Sequence, residues 1–246
     1  MAKIFMAGSN FAGGVAVISG KAADEVASLR LKLGDEVIIC DGKGSDHRCR
    51  ISRFSDGEVQ ADVISSEPSA AEPQVKITVL AAWPKSPARV DQLVRYCAGG
   101  GAAEIVFFRS DKSGRSMNAK VEEKHLAQLE EAAEAAAKDA GRSVVPPVRA
   151  VSDFAGALDI AVKTKLPLFF YESGSGRLSL KEALKDAGSV SSAAIMTGPE
   201  GGFEHYEAEL AKAVGMRICT MGSRIQRCET APLVAMTALL CETGEL

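Results

Sequence analysis

The chain has 246 residues, 46% of them apolar, which is enough for a core in one large or two modest domains without metal or disulfide support. Its formal charge of −3 argues against a general polyanion-binding surface; no apolar run approaches the roughly 20 residues that span a bilayer, and the first residues lack a signal-peptide core. The six cysteines, Cys40, Cys49, Cys97, Cys219, Cys228 and Cys241, form no Cys-x-x-Cys pair, which reads as reduced thiols in a cytoplasmic protein and argues against a metal site.

Up to residue 66 the chain is written in short β-prone runs, "VAVI", "EVIIC", "HRCRI" and "EVQADVI", separated by "GDE", "DGKG" and "SDG" turn chemistry. This predicts a small β-barrel domain over 1–66, interrupted by a short helix over Ala22–Leu31 that stops near Gly34. Residues 67–74, within the small, polar, proline-containing "SSEPSAAEPQ", read as a linker. From Val75 to the end the grammar changes to apolar strands separated by helices: "VKITVLAA", "EIVFF", "PLFFY", "SAAIMT" and "MRICTM". That alternation predicts an α/β domain on a parallel sheet over 75–246. Its helices carry recognisable ends: Ser86-Pro87 opens one, Gly141 stops another, Ser179 with Glu182 makes a capping box, Gly215 ends a third, and Ala231 starts the last.

Two features of the second domain point to a site. Residues 85–120 hold seven Lys/Arg (Lys85, Arg89, Arg95, Arg109, Lys112, Arg115, Lys120) against three acids, a local excess of +4 that suits either a solvated face or a polyanion-binding one. The second is "IMTGPEGGFEHYE" (195–207), a strand that runs into a proline and three glycines and then a helix, the place where open α/β sheets bind ligands. Gly198, Gly201 and Gly202 remove Cβ atoms, so a flat ligand could touch the main chain. The stretch is neither a dinucleotide fingerprint nor a P-loop, and Glu200 in mid-loop disfavours a pyrophosphate. Two more strand ends, "FFYESGSG" (169–176) and "GSRIQRCETAP" (222–232), could complete the walls.

"TGPEGGFEHYE" followed by "MGSRIQRCETAP" closely resembles the paired motifs, commonly GPEGG and LG-x-RILR-x-ETA, of the bacterial 16S ribosomal RNA (uracil-N3)-methyltransferases, a family of the SPOUT superfamily. "LRLKLGDEVIICDGKG" (29–44) resembles that family's PUA-like barrel signature. The resemblance implies a trefoil-knotted carboxy-terminal domain, S-adenosylmethionine in the knot, a homodimer, and methylation of a uridine N3 in the decoding region of 16S rRNA, free or in the assembled small subunit. It places the cofactor against Tyr171, Glu172, Thr197, Gly198, Gly201, Gly202, Met221, Gly222, Ile225 and Gln226. The RNA would be gripped by Arg30, Lys85, Arg89, Arg109, Lys112, Arg115 and Arg224.

N3 of uracil carries a proton, so a base and an anion-stabilising group are required; Arg227 with Glu229 is the preferred pair, with Glu200 and Arg224 as alternatives. Cys228 has no task in such an attack. The single tryptophan, Trp83, is read as core rather than as a base-stacking platform. The chain departs from the family at Asp24-Glu25, where a His-His pair is common, and at Ala98–Gly101, where T-E-L-G is usual. It departs again at Lys138–Arg142, where E-Q-S-G-R is usual, and at Gln226. These departures leave open a cofactor-binding RNA chaperone or ribosome-assembly factor descended from such enzymes.

Overall fold

The computed structural model describes residues 2–6, 11–114, 119–174, 176–185 and 187–246, excepting the side chains of Ala12 and Ala119. The chain forms two compact units: residues up to Glu72 together with Lys138–Val145, and Pro73–Ala137 together with Pro146–Leu246.

The first unit is a six-stranded sheet of β1 (Ala2–Phe5), β2 (Phe11–Ala12), β3 (Val15–Ser19), β4 (Glu36–Cys40), β5 (Ser45–Ser55) and β6 (Glu58–Pro68), with α1 (Lys21–Ser28) packed on it. The order is β1-β4-β5-β6-β3-β2, antiparallel except for β1 with β4. The alternating pattern of β3 and β4 puts Ala16, Ile18, Val37 and Ile39 inside with Ile4, Val26, Ile51 and Ala61. β5 and β6 meet through Asp56-Gly57, with Gly57 at φ +75°, the chemistry of a tight hairpin. Register shifts at Arg48/Cys49 and Ile51/Arg53 bend the pair. The sheet curls into a half-barrel, since its edges β1 and β2 do not pair among the described residues. Residues 65–68, read from sequence as loop and linker, continue β6 because their main chain pairs with β5 from Ser45 to Arg48.

Residues 138–145 join this unit through buried polar contacts. Arg142 pairs with Glu72 at 2.7 Å, both nearly fully buried, and the amides of Ser143 and Val144 donate to the same carboxylate. Burial pushes the Glu72 carboxyl up, but the Arg142 guanidinium and these amides outweigh it and hold the acid below the usual carboxylate range.

The second unit is built on a fully parallel sheet ordered β12-β10-β11-β7-β8-β9. Its strands are β7 (Lys76–Ala82), β8 (Glu104–Phe108), β9 (Val148–Ala150), β10 (Leu166–Phe170), β11 (Ser192–Thr197) and β12 (Arg217–Cys219). The helices are α2 (Pro87–Gly99), α3 (Ala119–Asp139), α4 (Phe154–Ala161), α5 (Leu180–Leu184), α6 (His205–Ala213) and α7 (Ala231–Glu242). β7, β8, β10 and β11 are near-continuous apolar runs because such strands are covered on both faces. One core cluster, with Leu80, Val106, Phe169, Met196 and Phe203, fills the α4 and α6 side. Among the described residues no helix is long and apolar enough to cross a membrane.

Candidate functional site

β12, β10 and β11 are neighbours in the parallel sheet, so their carboxyl ends open side by side. After β10 come Tyr171 and Glu172, after β11 the turn Gly198–Gly202, and after β12 the loop Thr220–Arg227. Together they enclose a cavity of about 380 Å³. All ten residues expected at the cofactor line it: Tyr171, Glu172, Thr197, Gly198, Gly201, Gly202, Met221, Gly222, Ile225 and Gln226. Arg89, Glu200, Arg224 and Arg227 line it as well.

The glycines have a second reason besides ligand approach. Pro199 and Gly202 close a tight turn, with Gly202 N donating to Pro199 O at 2.9 Å and Gly202 at φ +66°. A Cβ on Gly202 would overlap the Glu172 carboxylate, and one on Gly201 would press on Lys112 at 3.1 Å. A Cβ on Gly198 would reach Phe203 and the Gly202 main chain at 3.2 Å. Much of what comes close to this backbone is therefore the chain's own side chains. The Thr197 hydroxyl, at the end of β11, is buried without a hydrogen-bond partner among the described residues, a polar group that a ligand in the cavity could satisfy.

The charges of the site converge on Arg89, in the first turn of α2. Its Nη1 lies 3.1 Å from Glu200 Oε1 and its Nε 3.9 Å from Glu229 Oε2. Both Glu200 oxygens also accept from the Lys85 amide, at 3.1 and 3.0 Å. Burial raises the Glu200 carboxyl, but the Lys85 and Glu200 amides and Arg89 prevail and hold it below the usual range. Glu200 is thus a committed anion, poorly suited to take up a proton. Glu229 is buried, faces Arg227 Nη1 at 3.9 Å, and accepts from Cys228 Sγ at 3.3 Å. Burial first, then the neighbouring carboxylates, push the Cys228 thiol up to about 12, so it stays protonated and serves as a donor. Arg227 is 78% exposed, its guanidinium largely available.

The cations assigned to RNA fall into more than one group: Arg89 and Arg224 line this cavity, and Lys85 and Arg109 line a neighbouring one. Arg89 belongs to the cavity, an assignment sequence missed because its acidic partners lie more than a hundred positions away. Lys112 is paired with Glu204 at 3.0 Å over the glycine turn. Arg109 donates to Gly114 O at 2.9 Å, approaches Glu122 at 3.4 Å and lies 5.5 Å from the Trp83 ring. Lys85 and Arg224 are exposed, Arg30 is exposed on the first unit at φ +54°, and Arg115 lies outside the described residues.

The departures from the family pattern have local explanations. Glu25 and Lys138, both departures, form an ion pair at 2.6 Å within the first unit. Gly100 and Gly101 stand where a Cβ would meet Leu233 at 2.8 Å and Pro73 at 2.7 Å, so helix α7 and the entry to β7 pack where side chains are missing.

Comparison with known proteins places this geometry. Residues 71–240 match the RNA methyltransferase domain family, and residues 26–64 match the RNA methyltransferase PUA domain. The chain is 27% identical to ribosomal RNA small subunit methyltransferase E of Bacillus subtilis over 92% of this chain and 90% of that one. It is 25% identical to the protein of the same name from Mycobacterium bovis over 92% and 86%. Among solved structures it resembles ribosomal RNA small subunit methyltransferase E from Neisseria gonorrhoeae bound to S-adenosylmethionine, with 25% identity, 98% of each chain covered and a TM-score of 0.79. With more than half of its length matched, the chain belongs to the RNA methyltransferase domain family.

Proposed function

We propose that the protein methylates N3 of an unpaired uridine in small-subunit ribosomal RNA, using S-adenosylmethionine held in the cavity at the ends of β10, β11 and β12. The observation that carries this reading is the cavity itself: three adjacent strand ends, two of them bearing the family's paired motifs, around a volume within the roughly 300–1,000 Å³ usual for small-molecule sites. The residues present suit the cofactor. Glu172 and the Thr197 hydroxyl, without a partner among the described residues, offer polar groups, the turn at 198–202 exposes main chain, and Tyr171, Met221 and Ile225 offer apolar walls. Bound there, S-adenosylmethionine supplies an electrophilic methyl group on a sulfonium.

The chain's own residues must deprotonate the uracil and stabilise the charge left behind. Glu229, buried next to the lining residue Cys228, accepts the N3 proton in this proposal: its cations Arg89 and Arg227 stand off at 3.9 Å, whereas Glu200 is held at hydrogen-bond distance by the Lys85 amide and Arg89. Arg227 is exposed enough to reach the carbonyl oxygens of the uracil anion, and Arg89 positions both carboxylates as it lies between them. N3 is on the Watson–Crick edge, so the base must be unpaired or flipped out. A trefoil knot, a homodimer and a cytoplasmic location belong to the same proposal, as does RNA contact from the half-barrel near Arg30. The test is calorimetric titration with S-adenosylmethionine followed by single turnover on small ribosomal subunits from a strain lacking the gene, with the product base identified by mass spectrometry. One cofactor per chain and new N3-methyluridine are expected; cofactor binding without methyl transfer would favour the assembly-factor reading instead.

A further inference from the structure

A second cavity lies along the same edge of the sheet. β7 adjoins β11, and β7 and β8 end at Trp83 and Arg109 as β10 and β11 end at the first cavity. This second space, about 600 Å³, is lined by Trp83, Lys85, Pro87, Val90, Arg109 and His125 among others. The first turn of α2 is the wall between the two: Arg89 faces the first cavity, while Pro87 and Val90 face the second. Lys85 belongs to both, since its amide holds Glu200 and the residue lines the second space.

Trp83 is 2% exposed and stacks on Phe107 with ring centroids 4.3 Å apart, so one face of the indole is core. Its Nε1–H has no hydrogen-bond partner among the described residues. An indole can only donate, and a buried donor left unpaired is costly, so an acceptor is the missing complement. Around it stand an exposed lysine, an arginine 5.5 Å from the ring and His125 with its ring 5.8 Å away, beside the apolar Pro87 and Val90. An acceptor-bearing flat ring attached to an anion fits that set: apolar wall for the ring, indole N–H for a carbonyl or ring nitrogen, and the exposed Lys85 for phosphate.

We propose that this second cavity binds an unpaired nucleotide of the RNA next to the target base, its base accepting a hydrogen bond from Trp83 Nε1–H. The proposal rests on the RNA-methylating reading above and extends it: a strand that delivers its target into the first cavity carries a neighbouring nucleotide past the α2 turn.

Trp83 is the single tryptophan, so its emission reports this cavity. Titration of the full chain with an unstructured oligouridine should change that emission along the isotherm given by labelled RNA. Uridine should reproduce part of the change, and inorganic phosphate should not. Trp83→Phe should weaken labelled-RNA binding about threefold to tenfold, the range of one hydrogen bond, with S-adenosylmethionine affinity within about twofold of the original. Lys85→Ala, an exposed site where folding is not at stake, should flatten the slope of log K against log salt by about one. RNA that binds without altering the emission, or binds equally to a folded Trp83→Phe protein, overturns the subsite and leaves the methylation reading standing. A response reproduced in full by inorganic phosphate overturns it too, replacing the nucleotide by a simple anion. Failure of the unaltered chain to bind any RNA sinks the RNA reading, and the subsite with it.

Discussion

The loop after β11 and the loop after β12 face each other across the first cavity, and they are held very differently. In the first, Glu200 is fastened to the Lys85 amide and Arg89, Lys112 bridges to Glu204, and the Glu204 amide donates to Glu207 at 2.7 Å. In the second, Thr220 Oγ1 accepts from the Gly222 amide at 3.1 Å, and Ile225 and Arg227 are 86% and 78% exposed. One wall is finished by the chain's own contacts. The other leaves Ile225 and Arg227 largely in solvent, and any ordering of such side chains on binding would be subtracted from affinity.

The sharpest way to break this comparison is to remove a charge from each wall. Arg227→Ala should lower single-turnover methyl transfer about 10²–10³-fold, the usual loss for one electrostatic donor. Cofactor affinity and melting temperature should hardly move, since the side chain is exposed, and raising the pH should restore part of the rate as solvent takes over the N3 proton. Arg89→Ala should instead lose rate and melting temperature together, because it leaves Glu200 and the buried Glu229 without their shared cation. If Arg227→Ala transfers methyl normally, the open wall does not carry the chemistry.

The two loops also supply glycines that differ in what surrounds them. Gly202 and Gly222 both have left-handed φ, +66° and +91°, but a Cβ on Gly202 runs into Glu172 while one on Gly222 meets nothing within 4 Å among the described residues. Gly222→Ala should cost about 1–2 kcal/mol of backbone strain. Gly202→Ala should cost that plus about 1–3 kcal/mol of overpacking, together with a loss of S-adenosylmethionine affinity. Equal costs in thermal unfolding would mean that Glu172 swings away freely and the finished wall is looser than its contacts imply.

Which parts of this were legible in the sequence follows from the range of the interactions. The strands "EIVFF" and "SAAIMT" and the capping box at Ser179 and Glu182 are local patterns, and they stand where periodicity and end chemistry put them. β9, only Val148–Ala150, is too short to carry a period, and β1 hides in the first residues of the chain because its partner β4 lies more than thirty positions on. The cavity walls were expected from three strand ends, 169–176, 195–207 and 222–232, each a contiguous stretch of sequence. Arg89 with Glu200 and Glu229, and Glu25 with Lys138, could not be: each pair joins segments more than a hundred residues apart, and single-sequence reading has no signal for that. The Glu25–Lys138 pair also recasts a departure, since two changed positions answer each other in charge. Acid at 25 therefore has a partner within the folded chain.

A smaller effect is expected from the finished wall's own acid. Glu200→Gln should cost about 1.5–3 kcal/mol at neutral pH, the range for hydrogen bonds to a charged group. Because the folded-state carboxyl lies below its ordinary range, its contribution is present above the unfolded pKa and fades as pH falls through the folded value. The difference in melting temperature between the two proteins should therefore narrow between neutral pH and about pH 3. A constant gap across that window would mean that the carboxylate's charge contributes nothing and only its shape matters.

The smallest effect separates the two walls most cleanly. Ile225, the most exposed large apolar side chain among the described residues at 86%, packs against almost nothing in the ligand-free protein, so Ile225→Ser should change ligand-free stability by less than about 0.5 kcal/mol. If the open loop closes its apolar side chain over the cofactor, the same change should weaken S-adenosylmethionine up to about tenfold, as expected when one side chain is partly buried. The stabilisation conferred by saturating cofactor, which grows with the logarithm of ligand over Kd, should shrink accordingly. Measured by thermal shift at several cofactor concentrations, two parallel curves offset from each other would show the loss. Superimposable curves would mean the loop stays open over the bound cofactor. A change in sedimentation with unchanged cofactor affinity would assign Ile225 to contact between copies of the chain, making the open wall one that a second subunit finishes.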